Sequence, residues 1–77
     1  MNIQLADITV HIDQELAPEQ RAQIESAVRE IEGVVSFHNP SDRPHLNVIE
    51  YNPDKTSSAA ILSAITHHGV HAELIGL

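Results

Sequence analysis

Cysteine is absent from these 77 residues. That omission removes disulfides, thiolate metal ligands, thiol nucleophiles and iron–sulfur ligation together. Aromatic side chains are almost as scarce, Phe37 and Tyr51 being the only ones, so a core has to be assembled from Ile, Val, Leu and Ala. Positive charge is thin as well. Four Lys and Arg against eleven Asp and Glu leave a formal charge of −7 with histidines neutral, a sign that opposes phosphate backbones and anionic lipid headgroups. Nucleic acid and membranes are therefore not expected partners. Apolar runs are only a few residues long, and no basic segment followed by a hydrophobic stretch opens the sequence, so a soluble cytoplasmic protein is the default expectation. The length suits one domain over residues 1–77 and excludes a large enzyme scaffold or a long solenoid.

Histidine, in contrast, is plentiful: His11, His38, His45, His67, His68 and His71. Below histidine's ordinary value of about 6.5 these groups charge, and full protonation would take the formal charge from −7 to −1. Acid is thus expected to favour association.

Ile8, Val10 and Ile12 alternate with Thr9, His11 and Asp13, the period of a strand with one buried face. Pro18 followed by Glu19 fits a helix start, and the helix is expected to reach about Glu32. Ile24, Ala27, Val28 and Ile31 make its apolar stripe, Glu25 and Arg29 form an i,i+4 pair, and Gly33 can take a left-handed cap. A short strand over Val34 to His38 follows, then the turn-rich stretch Asn39 to Pro44 and a third strand from His45 to Tyr51. Counting across that hairpin with His38 facing His45 places Val35, Phe37, Leu46 and Val48 in the core. Ile49 and Tyr51 then fall on the opposite face, unless a bulge intervenes. Thr56 suits the N-cap of a second helix running from Ser57 to His68, with Ile61, Ala64, Ile65 and His68 inward and Gly69 ending it. Val70, Ala72 and Leu74 alternate with His71, Glu73 and Ile75 as a last strand. The order βαββαβ, with two one-sided helices, predicts a ferredoxin-like α+β sandwich: a four-stranded antiparallel sheet with both helices on one face.

The chain resembles the heavy-metal-associated domain family of small copper and mercury chaperone modules, also found at the amino ends of heavy-metal pumping ATPases. The resemblance is carried by Ile8-Thr9-Val10-His11-Ile12, Ile24-Glu25-Ser26-Ala27-Val28, Gly33-Val34, Tyr51-Asn52-Pro53-Asp54-Lys55, and Ile61 through Ala64-Ile65 to Gly69-Val70-His71-Ala72-Glu73-Leu74-Ile75. It covers nearly the whole sequence. It departs at the family's ligand loop, Gly-Met-Thr-Cys-x-x-Cys, whose positions are here Gln14 to Gln20. Ala17 and Gln20 replace the two cysteines, and neither is a soft-metal ligand. The resemblance therefore implies the scaffold without the dithiolate copper(I) chemistry.

Imidazoles are the available substitute. Antiparallel first and last strands would put His11 and His71 on the uncovered sheet face, with Asp13, Glu50 and Glu73 as carboxylates nearby. Such a nitrogen and oxygen set prefers copper(II), zinc or nickel to copper(I). The expected metal residues are thus His11, His71, Glu50 and Asp13, with His67 and His68 as second choice. Each of these also has a plain reading. Adjacent helical residues point about 100° apart, so His67 and His68 do not readily share an ion, and a histidine in a last helical turn simply complements the dipole. His38 and His45 read as polar residues flanking a turn. The alternative function is a cysteine-free adaptor, using the open sheet face to form a homodimer or to dock on a partner metalloprotein or transporter. An enzyme is not expected. There is no glycine-rich phosphate loop or nucleophile elbow, and Gln14 to Pro18 holds no arginine of the kind that cradles phosphate in acylphosphatases of the same topology.

Overall fold

The computed structural model describes residues 4–40, 42, 43 and 45–75. The elements are β1 (Ala6–Ile12), α1 (Pro18–Arg29), β2 (Val34–His38), β3 (Leu46–Tyr51), α2 (Ser58–Thr66) and β4 (Ala72–Ile75). The four strands form one sheet in the order β2-β3-β1-β4 with every pairing antiparallel, and α1 and α2 pack together on one face. This is the expected ferredoxin-like sandwich.

Alternation in β1 sends Ile8, Val10 and Ile12 under the helices, where they meet Ile24 and Val28 of α1 and Ile61 and Ile65 of α2. Phe37, Ile49, Tyr51 and Val70 complete the buried set. Each fully buried aliphatic side chain is worth roughly 1.5–3 kcal/mol relative to exposure, so these residues carry the fold.

The face assignment of β3 corrects the simple count. Ile49 and Tyr51 are core residues, whereas Leu46 and Val48 lie half-buried on the open face. The cause is the hairpin register: His38 pairs with Val48 and Phe37 with Ile49, not with His45 and Leu46, and farther along a bulge between Val34, paired with Tyr51, and Ser36, paired with Glu50, leaves Val35 as the extra residue, 54% exposed. The added residue lets Val34 and Phe37 both face the helices. At the other end of the hairpin β3 outruns β2. Leu46 and Asn47 pair only with His11 and Val10 of β1, because the connecting loop is folded on itself by Arg43 N–H to Pro40 O and Leu46 N–H to Arg43 O.

Three boundaries also differ. α1 stops at Arg29 rather than near Glu32, and the chain continues through Glu30 N–H to Ser26 O and Ile31 N–H to Val28 O. Ser57, not Thr56, caps α2, its hydroxyl accepting from Ala60 N–H at 3.1 Å. α2 ends at Thr66, so His68 is exposed instead of completing the inward stripe. Gly33 (φ +103°) and Gly69 (φ +82°) take the left-handed turns that follow the two helices.

Candidate metal centre

The open face of the sheet is built by the residues that alternate away from the core. On β1 these are Asp7, Thr9 and His11; on β3, Leu46, Val48 and Glu50; on β4, Glu73 and Ile75. Antiparallel pairing places His11 opposite Glu73, with His11 Nδ1 3.9 Å from Glu73 Oε1. One step beyond the ladder, His71 Nδ1 lies 3.1 Å from Asp13 Oδ2. Histidine and carboxylate thus alternate around one corner: His11 and Asp13 from β1 and its exit, His71 and Glu73 from the start of β4.

His11 and His71 share this corner but are not directly opposed. Their relation is diagonal, which in an antiparallel pair separates the backbones by about 7–8 Å. Asp13 is drawn in as expected. Glu50 is not: it pairs with Asp7, four residues along β3 from Leu46, the partner of His11. At about 3.3 Å per residue, that puts it roughly 13 Å away along the strand. His67 and His68 sit after α2, both exposed, where the backbone turns through His67 N–H to Ser63 O and His68 N–H to Ile65 O. Among the described residues, no three His, Asp or Glu side chains already stand in a geometry that would hold an ion.

His45 pairs not with His38 across the hairpin loop, as the sequence suggests, but with His11. Its ring centroid is 6.0 Å from that of His11, the planes tilted by 47°, and its Nδ1 is 2.8 Å from Ile12 O. Simple counting across the hairpin gives His45 a partner on β2; the displaced register instead sets it beside the end of β1, where Ile12 N–H donates to His45 O at 2.9 Å. No periodicity signal could have shown this, since His45 lies in the turn and not in a strand.

The loop corresponding to the family's ligand loop is closed structurally. Gln14 Oε1 accepts the His71 N–H at 2.7 Å and so ties the loop to the start of β4. Ala17 is the N-cap of α1 and contributes no side-chain bond, while Gln20 is a half-buried residue of the first turn. A soft ion held between two thiolates finds no donor at either position, and none of this chain's side chains is a thiol. Behind the loop lies a polar bridge. Arg21 Nη1 donates to Asn39 Oδ1 at 2.9 Å, Asn39 Nδ2 donates to Leu46 O, and Asn47, only 5% exposed, extends its amide toward Val10 O.

No family model matches the sequence, and no curated protein matches it significantly. Solved structures do match the fold. Oxidized MerP from Ralstonia metallidurans CH34 superposes with a TM-score of 0.79 at 15% identity, covering 92% of this chain and 97% of that one. The N-terminal domain of a potential copper-translocating P-type ATPase from Bacillus subtilis, in its Cu(I)-loaded state, gives 0.81 at 21% identity, covering 92% and 88%. The yeast copper transporter domain Ccc2a gives 0.78 at 13% identity, covering 91% and 94%. The fold is therefore that of the heavy-metal-associated domains, in a chain that lacks their Cys-x-x-Cys pair.

Proposed function

We propose that the protein handles a divalent metal ion, copper(II), zinc or nickel, at the histidine and carboxylate corner of its open sheet face. His11 is the anchor, with His71 and Asp13 beside it. The observation that carries the reading is the pairing of each imidazole with an oxygen through Nδ1: His71 with Asp13 at 3.1 Å and His11 with Glu73 at 3.9 Å. At 3.1 Å the Asp13 oxygen accepts from His71, so His71 Nδ1 bears the proton and its neutral ring presents the Nε2 lone pair outward, while Glu73 stands beside His11 at a distance that leaves either ring nitrogen free. Carboxylate–histidine–metal triads orient their ligands in this way. The names of the structural neighbours, which include copper-transporting domains, support metal handling as the use of this fold. Nitrogen and oxygen donors favour a borderline divalent ion, and Asp13 or Glu73 can turn from orienting a ring to binding the ion itself.

Calorimetric titration of copper(II), nickel and zinc into metal-free protein tests this. Saturable one-to-one binding that weakens at least tenfold in His11→Ala is the expected result. Binding no tighter than that of isolated histidines, or indifference to His11→Ala, would overturn the proposal.

A second reading has its own observation. Asp7 and Glu50 are directly opposed on the open face, and no strand carries a Lys or Arg. Like charges in register cost stability, so their presence favours an external cation supplied by a basic partner surface. The same charges work against the alternative of a homodimer through this face, which would set two acidic sheets against each other. Complex formation with a basic partner metalloprotein, weakened by salt and by Asp7→Asn, is the expected behaviour. Equal binding by Asp7→Asn at low salt would rule it out.

A further inference from the structure

His45 has no role in the reading above, yet the fold brings its ring to 6.0 Å from that of His11, between centroids. Its Nδ1 lies 2.8 Å from Ile12 O. A backbone carbonyl can only accept, so the proton is on Nδ1 and the free lone pair is on Nε2. This is the support that orients a ligating imidazole.

The separation suits a shared ion. A metal about 2.0–2.1 Å from one nitrogen of each ring holds the two centroids roughly 5–6.5 Å apart for angles from tetrahedral to linear. The observed spacing lies within that span. Both rings are only partly exposed; the His11 side chain is 34% accessible. Partial burial limits the rotamer entropy lost on binding.

We infer that His45 is a ligand of the ion anchored by His11, so that the principal nitrogen pair spans the β1–β3 seam. This rests on the metal-handling reading and refines it: the ion sits on the β3 side of β1, with water or a carboxylate completing its shell. Of the three ions, copper(II) is held most tightly by two imidazoles with oxygen donors, following the general affinity order of divalent metals.

Copper(II) itself is the probe, added in substoichiometric amounts to the full chain while the histidine ring protons are followed by NMR. Paramagnetic broadening is expected first at the His11 and His45 rings. In parallel, His45→Ala should weaken copper(II) binding at least tenfold. Because His45 also supports the end of β1, each variant's amide spectrum is compared with the wild type, and broadening in the unaltered protein decides the matter if His45→Ala is misfolded. A His45 ring that stays sharp while His11 and His71 broaden would overturn the inference and leave metal handling intact. Absence of any copper(II) binding would remove both.

Discussion

At the scale of single residues, the two glycines after the helices show how differently one backbone requirement can weigh. Both have positive φ, but a Cβ on Gly33 would stand 2.7 Å from Lys55 Cβ, whereas one on Gly69 meets nothing within 4 Å. Gly69→Ala therefore faces only the left-handed penalty of about 1–2 kcal/mol. Gly33→Ala adds a clash at the turn where Asn52 N–H donates to Gly33 O at 2.7 Å. The larger drop in urea midpoint is expected for Gly33→Ala, and equal drops would show that the Lys55 turn yields freely. Residue chemistry was also where the site was half legible. Alternation in β1 sufficed to put His11 on the open face, opposite to Val10 and Ile12. The same alternation placed Asp13 near His71, but it could not reveal that His45 turns to Ile12 O, because that contact arises in a loop whose path has no periodic signature.

At the scale of elements, order and type were readable throughout, since Pro18 and the glycines mark the helices and β1 alternates cleanly. The facing of β3 was not. Leu46, Val48, Ile49 and Tyr51 are all apolar, so either parity of the strand could have been the buried one, and the choice was made by the register that sets Ile49 opposite both Phe37 and Ile8. Paired truncations test this directly. Ile49 is fully buried, and Ile49→Ala should cost about 2–5 kcal/mol, while Val48→Ala on the open face should cost less than about 1.5 kcal/mol. A larger loss for Val48→Ala in chemical denaturation would reverse the assignment. The start of α2 makes a similar point. Thr56 and Ser57 are both capable caps, and the backbone selects Ser57, extended at φ −137°, ψ 161°. Ser57→Ala should therefore destabilise by about 1 kcal/mol, whereas Thr56→Ala makes no comparable change in thermal midpoint.

For the whole molecule, the distribution of charge matters more than its sum. All four basic residues lie off the strands: Arg21 and Arg29 on α1, Arg43 in the hairpin loop and Lys55 in the turn after β3. Three of these cations serve the scaffold, Arg21 through Asn39, Arg29 through Glu25 and Phe37 O, and Lys55 beside Glu32 at 3.8 Å. The sheet's open face is left with acids and histidines around the aliphatic patch of Leu46, Val48 and Ile75. An isolated fold gains nothing from setting Asp7 against Glu50. Removing one of the two charges should relieve their repulsion, so Asp7→Asn is expected to stabilise the free protein by about 0.2–1 kcal/mol, most clearly at low ionic strength. The same change should weaken any complex with a basic surface, chiefly through a slower association rate, because charge at the rim of an interface steers encounter. Stability and binding would then move in opposite directions on one substitution, as expected of a residue retained for a partner and not for the fold. If Asp7→Asn lowers the thermal midpoint, the carboxylate has a structural role and the face loses its best argument for a cationic ligand.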